Sequence, residues 1–313
     1  MSYIFVILGF VLLILGGELL VKASVGLSFK FNISKAVIGM TVVSFATSAP
    51  ELLVSMQSAL NGHSDIALGN VIGSNIANIV LVLGVTALIA PLFVNKYFYK
   101  LNWPTMLVFT ALLYWFLYND NIISQFEGIL LFGLLIGFII ILIKKATVLG
   151  VGIEEIDDNL TESSNLKIVL WFLIGGVALW GGSELLIDGA IKMAEKFNIS
   201  ERIISISVVA VGTSIPEMAT SIIAAVKKEK SISLGNLIGS NIFNIGSVIG
   251  ITALVKPIPL LDQKLLNSDM IWLLCFSVLL LPLVFLPKSY KISRYKGAFL
   301  LITYILFIYT AFK

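Results

Sequence analysis

The chain has 313 residues, of which 58% are hydrophobic and only 12% are charged. The charged share is about half of that in soluble domains, so the composition excludes an ordinary soluble protein and indicates a membrane protein. The net charge of +3, spread without a basic cluster, gives no sign of a nucleic-acid partner.

Apolar runs of the length that a membrane-spanning helix needs, roughly 17 to 25 residues, recur along the whole chain. Their predicted starts lie near Tyr3, Lys35, Ile66, Trp103, Ile123, Leu166, Arg202, Ile232, Asp269 and Tyr295. The sequence thus predicts an all-α membrane protein with about ten transmembrane helices, which we number 1 to 10, embedded in a lipid bilayer. The runs at Trp103 and Asp269 are the shortest.

The strongest pattern in the chain is an eleven-residue segment that occurs twice. Residues 69–79 (GNVIGSNIANI) return as residues 235–245 (GNLIGSNIFNI), 166 positions later and with two substitutions. The same offset aligns TSAPE at residues 47–51 with TSIPE at residues 213–217. The chain is therefore predicted to hold two copies of a five-helix unit. The predicted units are residues 1–145 and 167–313, joined by an acidic linker at residues 146–166.

An odd number of helices in each unit predicts that the second unit enters the membrane from the opposite side, so that the repeats are inverted. Loops rich in Lys and Arg tend to stay in the cytoplasm. Of the 21 Lys and Arg residues, fifteen lie near the loops after helices 1, 3, 5, 7 and 9. These loops and the acidic linker are predicted to be cytoplasmic. The protein is predicted to lie in the cell membrane, with both termini extracellular.

Two prolines, Pro50 and Pro216, lie inside predicted helices 2 and 7. A proline removes one backbone donor and displaces the carbonyl four residues earlier, which belongs to Ala46 in helix 2 and to Gly212 in helix 7. Within hydrocarbon, such a carbonyl must be satisfied by protein, water or a bound ion. We therefore expect both helices to be broken.

Each proline is followed by a glutamate, Glu51 or Glu217, near the predicted middle of the membrane. An ionisable side chain is costly there and indicates a functional site. Inverted repeats should bring both carboxylates together, beside freed carbonyls of Thr47 and Thr213. Such oxygens are the ligands of hard cations, and two carboxylates balance one Ca²⁺. The prolines and threonines alone could be explained by a simple kink.

The eleven-residue segments supply a second set of oxygen atoms. Their glycines, four residues apart, should let helices 3 and 8 pack closely against helices 2 and 7. Packing does not explain their polar residues, which place neutral oxygens on faces that must point inward. These residues are Asn70, Ser74, Asn75 and Asn78 in the first unit and Asn236, Ser240, Asn241 and Asn244 in the second. Ser48 and Ser214 add hydroxyl groups beside the glutamates, and a small oxygen cage suits Na⁺ as well as Ca²⁺.

Three other kinds of polar or reactive side chain are assigned no ligand role. Glu18 and Glu184 occupy equivalent places near the ends of helices 1 and 6, where a packing or interface role is favoured over the ion path. The single histidine, His63, lies in a predicted loop, and the single cysteine, Cys275, lies in helix 9. A metal site needs several convergent donors, so neither is expected to bind a metal.

In two inverted copies, the TSxPE and GNxxGSN motifs resemble the alpha repeats of the sodium/calcium exchangers, in the cation/calcium exchanger superfamily. The resemblance covers essentially the whole chain and is most specific over residues 39–84 and 205–250. It implies secondary active transport by alternating access, in which Na⁺ moving down its gradient drives Ca²⁺ against its own. It implies neither a cofactor nor an obligate protein partner.

The resemblance also implies a set of ligands. Ca²⁺ would be bound by Glu51, Glu217 and the carbonyls of Thr47 and Thr213. The implied Na⁺ sites comprise Ser48, Ser74, Ser214 and Ser240, with the carbonyls of Ser44 and Ala210.

The charge of the pocket leads to two further expectations. Asn78 and Asn244 are neutral, so Glu51 and Glu217 are the only fixed negative charges, and one Ca²⁺ balances them. An additional K⁺ would be uncompensated, so transport is expected to be independent of K⁺. Three or more Na⁺ would leave the pocket positive, so exchange at that stoichiometry should be electrogenic.

Three alternative functions remain at this stage. A Ca²⁺/H⁺ antiporter of the same superfamily usually carries its acidic residue in a GNxxE motif, whereas here the acidic residue follows Ser-x-Pro. A cation channel would be expected to surround one filter with like subunits. An intramembrane protease would need a nucleophile with a base, or a metal triad, so an enzyme is not expected.

Overall fold

The computed structural model describes residues 2–94, 98–148, 163–196, 210–286 and 290–311. The helices in these ranges are α1 Ser2–Phe31, α2a Lys35–Thr47, α2b Ala49–Leu60, α3 Ser64–Ile89, α4 Phe98–Asp120, α5 Gln125–Val148, α6 Asn165–Lys196, α7a Ala210–Gly212, α7b Ile215–Val226, α8 Lys230–Val255, α9 Leu265–Phe285 and α10 Arg294–Ala311. The strands in these ranges are β1 Leu92–Phe93, β2 Ile122–Ile123, β3 Ile258–Pro259 and β4 Lys291–Ile292.

The prediction of a helical membrane protein is confirmed. Within the described ranges, seven helices are long and apolar enough to cross a membrane, or eight if the bent pair α2a and α2b is one span. The start predicted at Arg202 for helix 7 lies outside the described residues, as does most of the predicted linker, residues 149–162. Helix α5 continues to Val148 and α6 begins at Asn165, so both helices extend a few residues into the predicted linker.

Helices α4 and α9 begin earlier than the sequence predicts. Each opens with a π-helical turn, Phe98–Asn102 in α4 and Leu265–Asp269 in α9. The predicted start Trp103 therefore directly follows the first of these turns, and the predicted start Asp269 is the last residue of the second. A π-turn shifts the helical register by one residue, which disrupts the hydrophobic periodicity used to find the start of a helix.

Helices α3 and α8 lie at the centre of the protein. In their most apolar stretches 72% and 83% of the residues are buried, whereas only 28% are buried in the corresponding stretches of α5 and α6. Large apolar side chains such as Ile7 and Phe10 of α1 are exposed. Lipid cannot satisfy polar groups, so helices with a buried polar face must be surrounded by other helices. The outer surface of those surrounding helices is apolar, as contact with a bilayer requires.

Helices α1 and α6 pack against each other through glycines spaced seven residues apart. Gly9 and Gly16 of α1 meet Gly182 and Gly175 of α6. A Cβ on Gly9 would lie 2.8 Å from the carbonyl oxygen of Gly182, and a Cβ on Gly175 would lie 3.0 Å from that of Gly16. Because seven residues make two helical turns, the contact repeats along one face and holds the backbones unusually close.

Two short antiparallel sheets join the two halves of the chain. Strand β1 pairs with β4, with Leu92 opposite Ile292. Strand β2 pairs with β3, with Ile123 opposite Ile258. Because β1 precedes α4 and β2 follows it, the sheets lie at opposite ends of that helix.

Candidate ion-binding site

The site begins at the breaks between α2a and α2b and between α7a and α7b. The axes of α2a and α2b differ by 43°. Ser48 lies at the first break with φ −87° and ψ 2°, and Ser214 lies at the second with φ −88° and ψ 4°. The prolines therefore do not lie inside continuous helices: Pro50 and Pro216 are in the first turns of α2b and α7b.

This geometry places each glutamate at the start of a helix. Glu51 and Glu217 lie in the first turns of α2b and α7b. The amino end of a helix carries a partial positive charge, which stabilises a carboxylate there. Both side chains are completely buried. The broken helices thus provide part of the stabilisation that a buried carboxylate needs.

The two carboxylates lie close together but have different neighbours. The Glu217 side chain reaches Ser48, at the break three residues before Glu51. Glu217 Oε1 accepts a long hydrogen bond from the Ser48 hydroxyl, at 3.4 Å. Glu217 Oε2 and both oxygens of Glu51 have no hydrogen-bond partner among the described residues. A buried carboxylate without partners is unfavourable unless a cation compensates it, so these oxygens are candidate ligands.

The hydroxyl groups before the first break point to α8. Thr47 Oγ1 donates to Asn236 Oδ1 at 3.2 Å and lies 3.4 Å from Ser240 Oγ. Ser44 Oγ lies 3.1 Å from the carbonyl oxygen of Asn236 and 2.9 Å from that of Gly39. Four predicted site residues, Ser44, Thr47, Ser48 and Ser240, are therefore brought to the Glu217 side of the site.

The corresponding hydroxyl groups at the second break make no such contact with the described residues. Ser214 is fully buried, and neither its hydroxyl nor that of Thr213 has a hydrogen-bond partner among the described residues. The acceptor of the Ser214 amide also differs from its counterpart. The Ser48 amide donates to the carbonyl of Ser44, four residues back, at 2.9 Å, but the Ser214 amide donates to Val211, three residues back, at 3.1 Å.

Two asparagines hold the glutamate backbones in place. Asn70 Nδ2 donates to the carbonyl of Glu51 at 3.4 Å and to Ser55 Oγ at 3.0 Å. Asn236 Nδ2 makes the matching contacts with the carbonyl of Glu217 at 3.5 Å and with Ser221 Oγ at 3.0 Å. The polar residues of the repeated segments predicted the asparagines, but Ser55 and Ser221 were not predicted, although the 166-residue offset relates them to each other.

A second group of amides lies where α3 and α8 turn into π-helix, at Ala77–Val82 and Asn244–Ile249. Asn244 Nδ2 donates to Ser74 Oγ and to Asn75 Oδ1, both at 3.0 Å. These bonds fix the amide so that Asn244 Oδ1, which is buried and unpartnered among the described residues, is available to a cation. Both polar atoms of Asn78 are buried without such a partner.

The predicted close approach of the glycine motifs is confirmed for α8. A Cβ on Gly239 would collide with the Ser44 hydroxyl and would lie 2.7 Å from the carbonyl oxygen of Met40. A Cβ on Gly235 would lie 3.1 Å from the amide nitrogen of Met40. The segment that Gly69 and Gly73 would meet by symmetry, residues 202–206, lies outside the described residues.

Glu18 lies apart from the site. Its carboxylate forms an ion pair with Lys227, just after α7b, at 2.9 Å, and about a third of each side chain is exposed. Glu184 of α6 is exposed as well. His63 lies between α2b and α3, and Cys275 is exposed on α9.

With this geometry defined, the chain can be compared with known proteins. The family model described as "Sodium/calcium exchanger protein" matches residues 1–144 and 167–313. The chain belongs to the sodium/calcium exchanger family. It is a multi-pass membrane protein. Each of the two matched ranges contains one TSxPE motif and one GNxxGSN motif.

Three relatives illustrate the similarity. The putative antiporter CaxA of Alkalimonas amylolytica is 35% identical over 99% of this chain and 98% of its own length. The sodium/calcium exchanger MaX1 of Methanosarcina acetivorans is 28% identical over 99% of this chain and 98% of its own length. The solved structure of the sodium-calcium exchanger NCX_Mj, soaked with zero Na⁺ and Ca²⁺, superposes with a TM-score of 0.83. It is 32% identical and covers 99% of this chain and 98% of the other.

Proposed function

We propose that this chain is a secondary antiporter that exchanges Na⁺ for Ca²⁺ by alternating access, without a cofactor or an obligate protein partner. The observation that carries the proposal is the convergence of two fully buried carboxylates, Glu51 and Glu217, at the starts of two broken helices. Oxygen ligands of this kind suit hard cations. Membership of an exchanger family favours a transporter over an enzyme or a channel.

In this proposal Ca²⁺ is bound by Glu51 and Glu217 with the carbonyls of Thr47 and Thr213. Unpartnered carboxylate oxygens on both glutamates support their assignment. The neutral ligands proposed for Na⁺ are Ser48, Ser74, Ser214, Ser240, Asn78 and Asn244, with the carbonyls of Ser44 and Ala210. The Ser214 hydroxyl and the side-chain oxygens of Asn78 and Asn244 have no hydrogen-bond partner among the described residues, which supports their part in the set.

The proposed architecture is ten transmembrane helices in two inverted repeats, residues 1–145 and 167–313, with a cytoplasmic linker at 146–166. The two sheets support the inversion. By the repeat offset β1 corresponds to β3, yet β1 pairs with β4 at one end of α4 and β3 pairs with β2 at the other. Corresponding loops would therefore lie on opposite sides of the membrane.

Contacts between loops support the proposed grouping of the loops on two sides of the membrane, while the distribution of Lys and Arg carries the proposal that both termini are extracellular. Lys35 forms a 2.8 Å ion pair with Glu229, and both residues belong to loops proposed to be cytoplasmic. Asp65 accepts a hydrogen bond from the amide of Leu261 at 2.8 Å, and both lie in proposed outer loops. Cysteines introduced at Asn61 and Lys228, in a Cys275→Ser background, should react with an impermeant reagent from opposite sides. Labelling of both from outside would contradict this topology.

The charge of the proposed site makes the exchange electrogenic and independent of K⁺. One Ca²⁺ neutralises Glu51 and Glu217, whereas three Na⁺ would exceed their charge, so the loaded pocket would differ in charge between the two half-cycles. A further K⁺ would have no buried carboxylate to balance it, because Asn78 and Asn244 are neutral.

The proposal is tested with purified protein in liposomes. Uptake of ⁴⁵Ca²⁺ into Na⁺-loaded vesicles should require an outward Na⁺ gradient, and a pH gradient alone should not replace it. Uptake should be equal with K⁺ or choline as the balancing cation at a clamped membrane potential. Uptake driven by a pH gradient alone would favour a Ca²⁺/H⁺ antiporter, and an absolute K⁺ requirement would contradict the charge argument.

A further inference from the structure

Pro216 leaves the carbonyl of Gly212 without the helical donor that residue 216 would otherwise supply. The hydroxyl of Ser183, on α6, donates a hydrogen bond to this carbonyl oxygen at 2.9 Å. Ser183 is only 5% exposed. The sequence predicts that a carbonyl freed at this depth needs a partner, and Ser183 is that partner. Its position was not among the expected site residues.

Two contacts of α6, one on each side of Ser183, fix its position beside the second break. A Cβ on Gly212 would lie 2.7 Å from Ile187 Cγ1, so only a glycine allows Ile187 to pack there. On the other side of Ser183, Gly182 packs against the backbone of Gly9 in α1. The hydroxyl of Ser183 is therefore presented to the Gly212 carbonyl from a fixed position, and not from a mobile side chain at a surface.

The first repeat has no equivalent of this hydrogen bond. The 166-residue offset relates Ser183 to Gly17 and Gly212 to Ala46. Gly17 has no side chain to donate, and a Cβ there would collide with Ile223 of α7b. A side-chain hydrogen bond from this position of the outer helix to the break, as Ser183 of α6 makes to Gly212, is therefore specific to the second repeat.

The turn at the second break also differs from the first, at the place where the Ser183 bond acts. The Ser214 amide reaches back three residues, to the carbonyl of Val211, at 3.1 Å. The Ser48 amide reaches back four, to the carbonyl of Ser44, at 2.9 Å. Ala210 is the counterpart of Ser44, so in the second repeat the Ser214 amide bonds to the residue after that counterpart.

We infer that Ser183 is a positioning residue for the Na⁺-binding part of the site. By drawing the Gly212 carbonyl towards α6, it holds the tight turn over residues 210–214, and this turn keeps the carbonyl of Ala210 and the hydroxyl of Ser214 available to Na⁺. The inference rests on the proposed exchange of Na⁺ for Ca²⁺. It adds to that function a residue that touches neither ion.

The test compares Ser183→Ala with Ser24→Ala in reconstituted full-length protein. Ser24 is the matched control: it is fully buried in α1, and its hydroxyl donates to the carbonyl of Leu20 in its own helix at 2.6 Å. In Ser183→Ala the half-saturating Na⁺ concentration should rise roughly three- to tenfold, the range expected for one buried hydrogen bond. The half-saturating Ca²⁺ concentration should rise less than that of Na⁺, because both carboxylates remain and the carbonyl of Thr213 is the one proposed Ca²⁺ ligand within the turn.

Ser183→Thr keeps the hydroxyl donor and should restore the Na⁺ dependence of the unsubstituted protein. If Ser183→Ala is not recovered folded, Ser183→Cys is measured instead, because a thiol keeps the volume but is a weak donor. An unchanged Na⁺ dependence in Ser183→Ala would overturn the inference, as would equal rises for Na⁺ and Ca²⁺ or an equal effect of Ser24→Ala. A lack of Na⁺-driven ⁴⁵Ca²⁺ uptake in the unsubstituted protein would instead contradict the exchange function itself.

Discussion

The two halves of the site come from nearly identical motifs but differ in how their polar groups are satisfied. On the Glu217 side, Ser48 donates to the carboxylate, and Thr47 bonds to Asn236 of α8. On the Glu51 side, both carboxylate oxygens and the hydroxyl groups of Thr213 and Ser214 have no partner among the described residues.

This difference shows that sequence symmetry selects the residues of the site but does not fix their contacts. The Glu217 side is held by hydrogen bonds within the protein, whereas the Glu51 side leaves more oxygens available to an incoming ion. In an exchanger that binds two kinds of ion in one pocket, this difference between the two sides lets each ion use different oxygen ligands of the same pocket.

The largest effect is expected from Glu51→Gln and Glu217→Gln. Each removes one of two charges that a divalent ion needs at close range, so Ca²⁺ uptake should fall at least about a hundredfold. The two should differ in stability: without Ca²⁺, Glu51→Gln should raise the thermal midpoint more, because it removes a buried charge without hydrogen-bond partners. Uptake of ⁴⁵Ca²⁺ and thermal unfolding in detergent measure both effects.

Glu184→Gln is the control for these substitutions, since Glu184 is exposed on α6 and should be replaceable without loss. Near-normal uptake by either Glu51→Gln or Glu217→Gln would remove that residue from the binding site. Equal changes in thermal midpoint would contradict the difference between the two sides.

The next effect compares Asn244→Asp with Asn78→Asp. The Asn244 amide donates to Ser74 Oγ and Asn75 Oδ1. An ionised aspartate has no donor, so its oxygen would lie against the Asn75 oxygen, and both are acceptors. Loss of this buried partner should reduce Ca²⁺ uptake roughly tenfold. Asn78→Asp should reduce uptake less, since both Asn78 polar atoms are unpartnered among the described residues and no hydrogen bond is lost there.

Uptake in K⁺ and in choline measures whether either aspartate recruits a further cation to balance the third carboxylate. A larger loss in Asn78→Asp than in Asn244→Asp would contradict the assigned orientation of the Asn244 amide.

The sequence predicted much of this site because its signals are local. Pro50 and the repeat of TSxPE were enough to place a break beside Glu51, and the polar residues of GNxxGSN were enough to predict that α3 and α8 face inward. The repeat offset also placed Glu217 correctly at the start of a second broken helix. These predictions depend on residue type and spacing, which the sequence states directly.

The rest depended on contacts between segments far apart in the chain. No local pattern says that Thr47 bonds to Asn236 while Thr213 stays free, since this is decided by how the second repeat packs on the first. The π-turns were also missed, because each alters the helical period by a single residue. Ser183 was overlooked because its counterpart, Gly17, has no side chain, and a search for symmetric pairs cannot find it.

A smaller effect is expected from the asparagines that hold the glutamate backbones. Asn236 bonds to the carbonyl of Glu217 and to Ser221, and it also accepts from Thr47. Among the described residues, Asn70 makes only the first two kinds of contact. Asn236→Ala should therefore lower the free energy of unfolding by about 2 kcal/mol and Asn70→Ala by about 1 kcal/mol. Denaturant titration of the purified variants measures the difference, and equal losses would contradict it.

The smallest effect is expected at the pair that breaks the symmetry outside the site. Glu18 bonds to Lys227, whereas Glu184 would by the repeat offset face Asn61, which carries no charge. About a third of the Glu18 and Lys227 side chains is exposed, so solvent and salt screen their attraction. Glu18→Gln should lower the free energy of unfolding by no more than about 1 kcal/mol, and less at high salt. Lys227→Gln should have the same effect, and the double substitution should cost no more than either one, because the interaction is lost only once. The half-saturating Ca²⁺ concentration should stay unchanged in all three variants.

A rise in that concentration with Glu18→Gln but not with Lys227→Gln would mean that the Glu18 carboxylate acts on the ion itself. The ion pair could then no longer be treated as a contact outside the site.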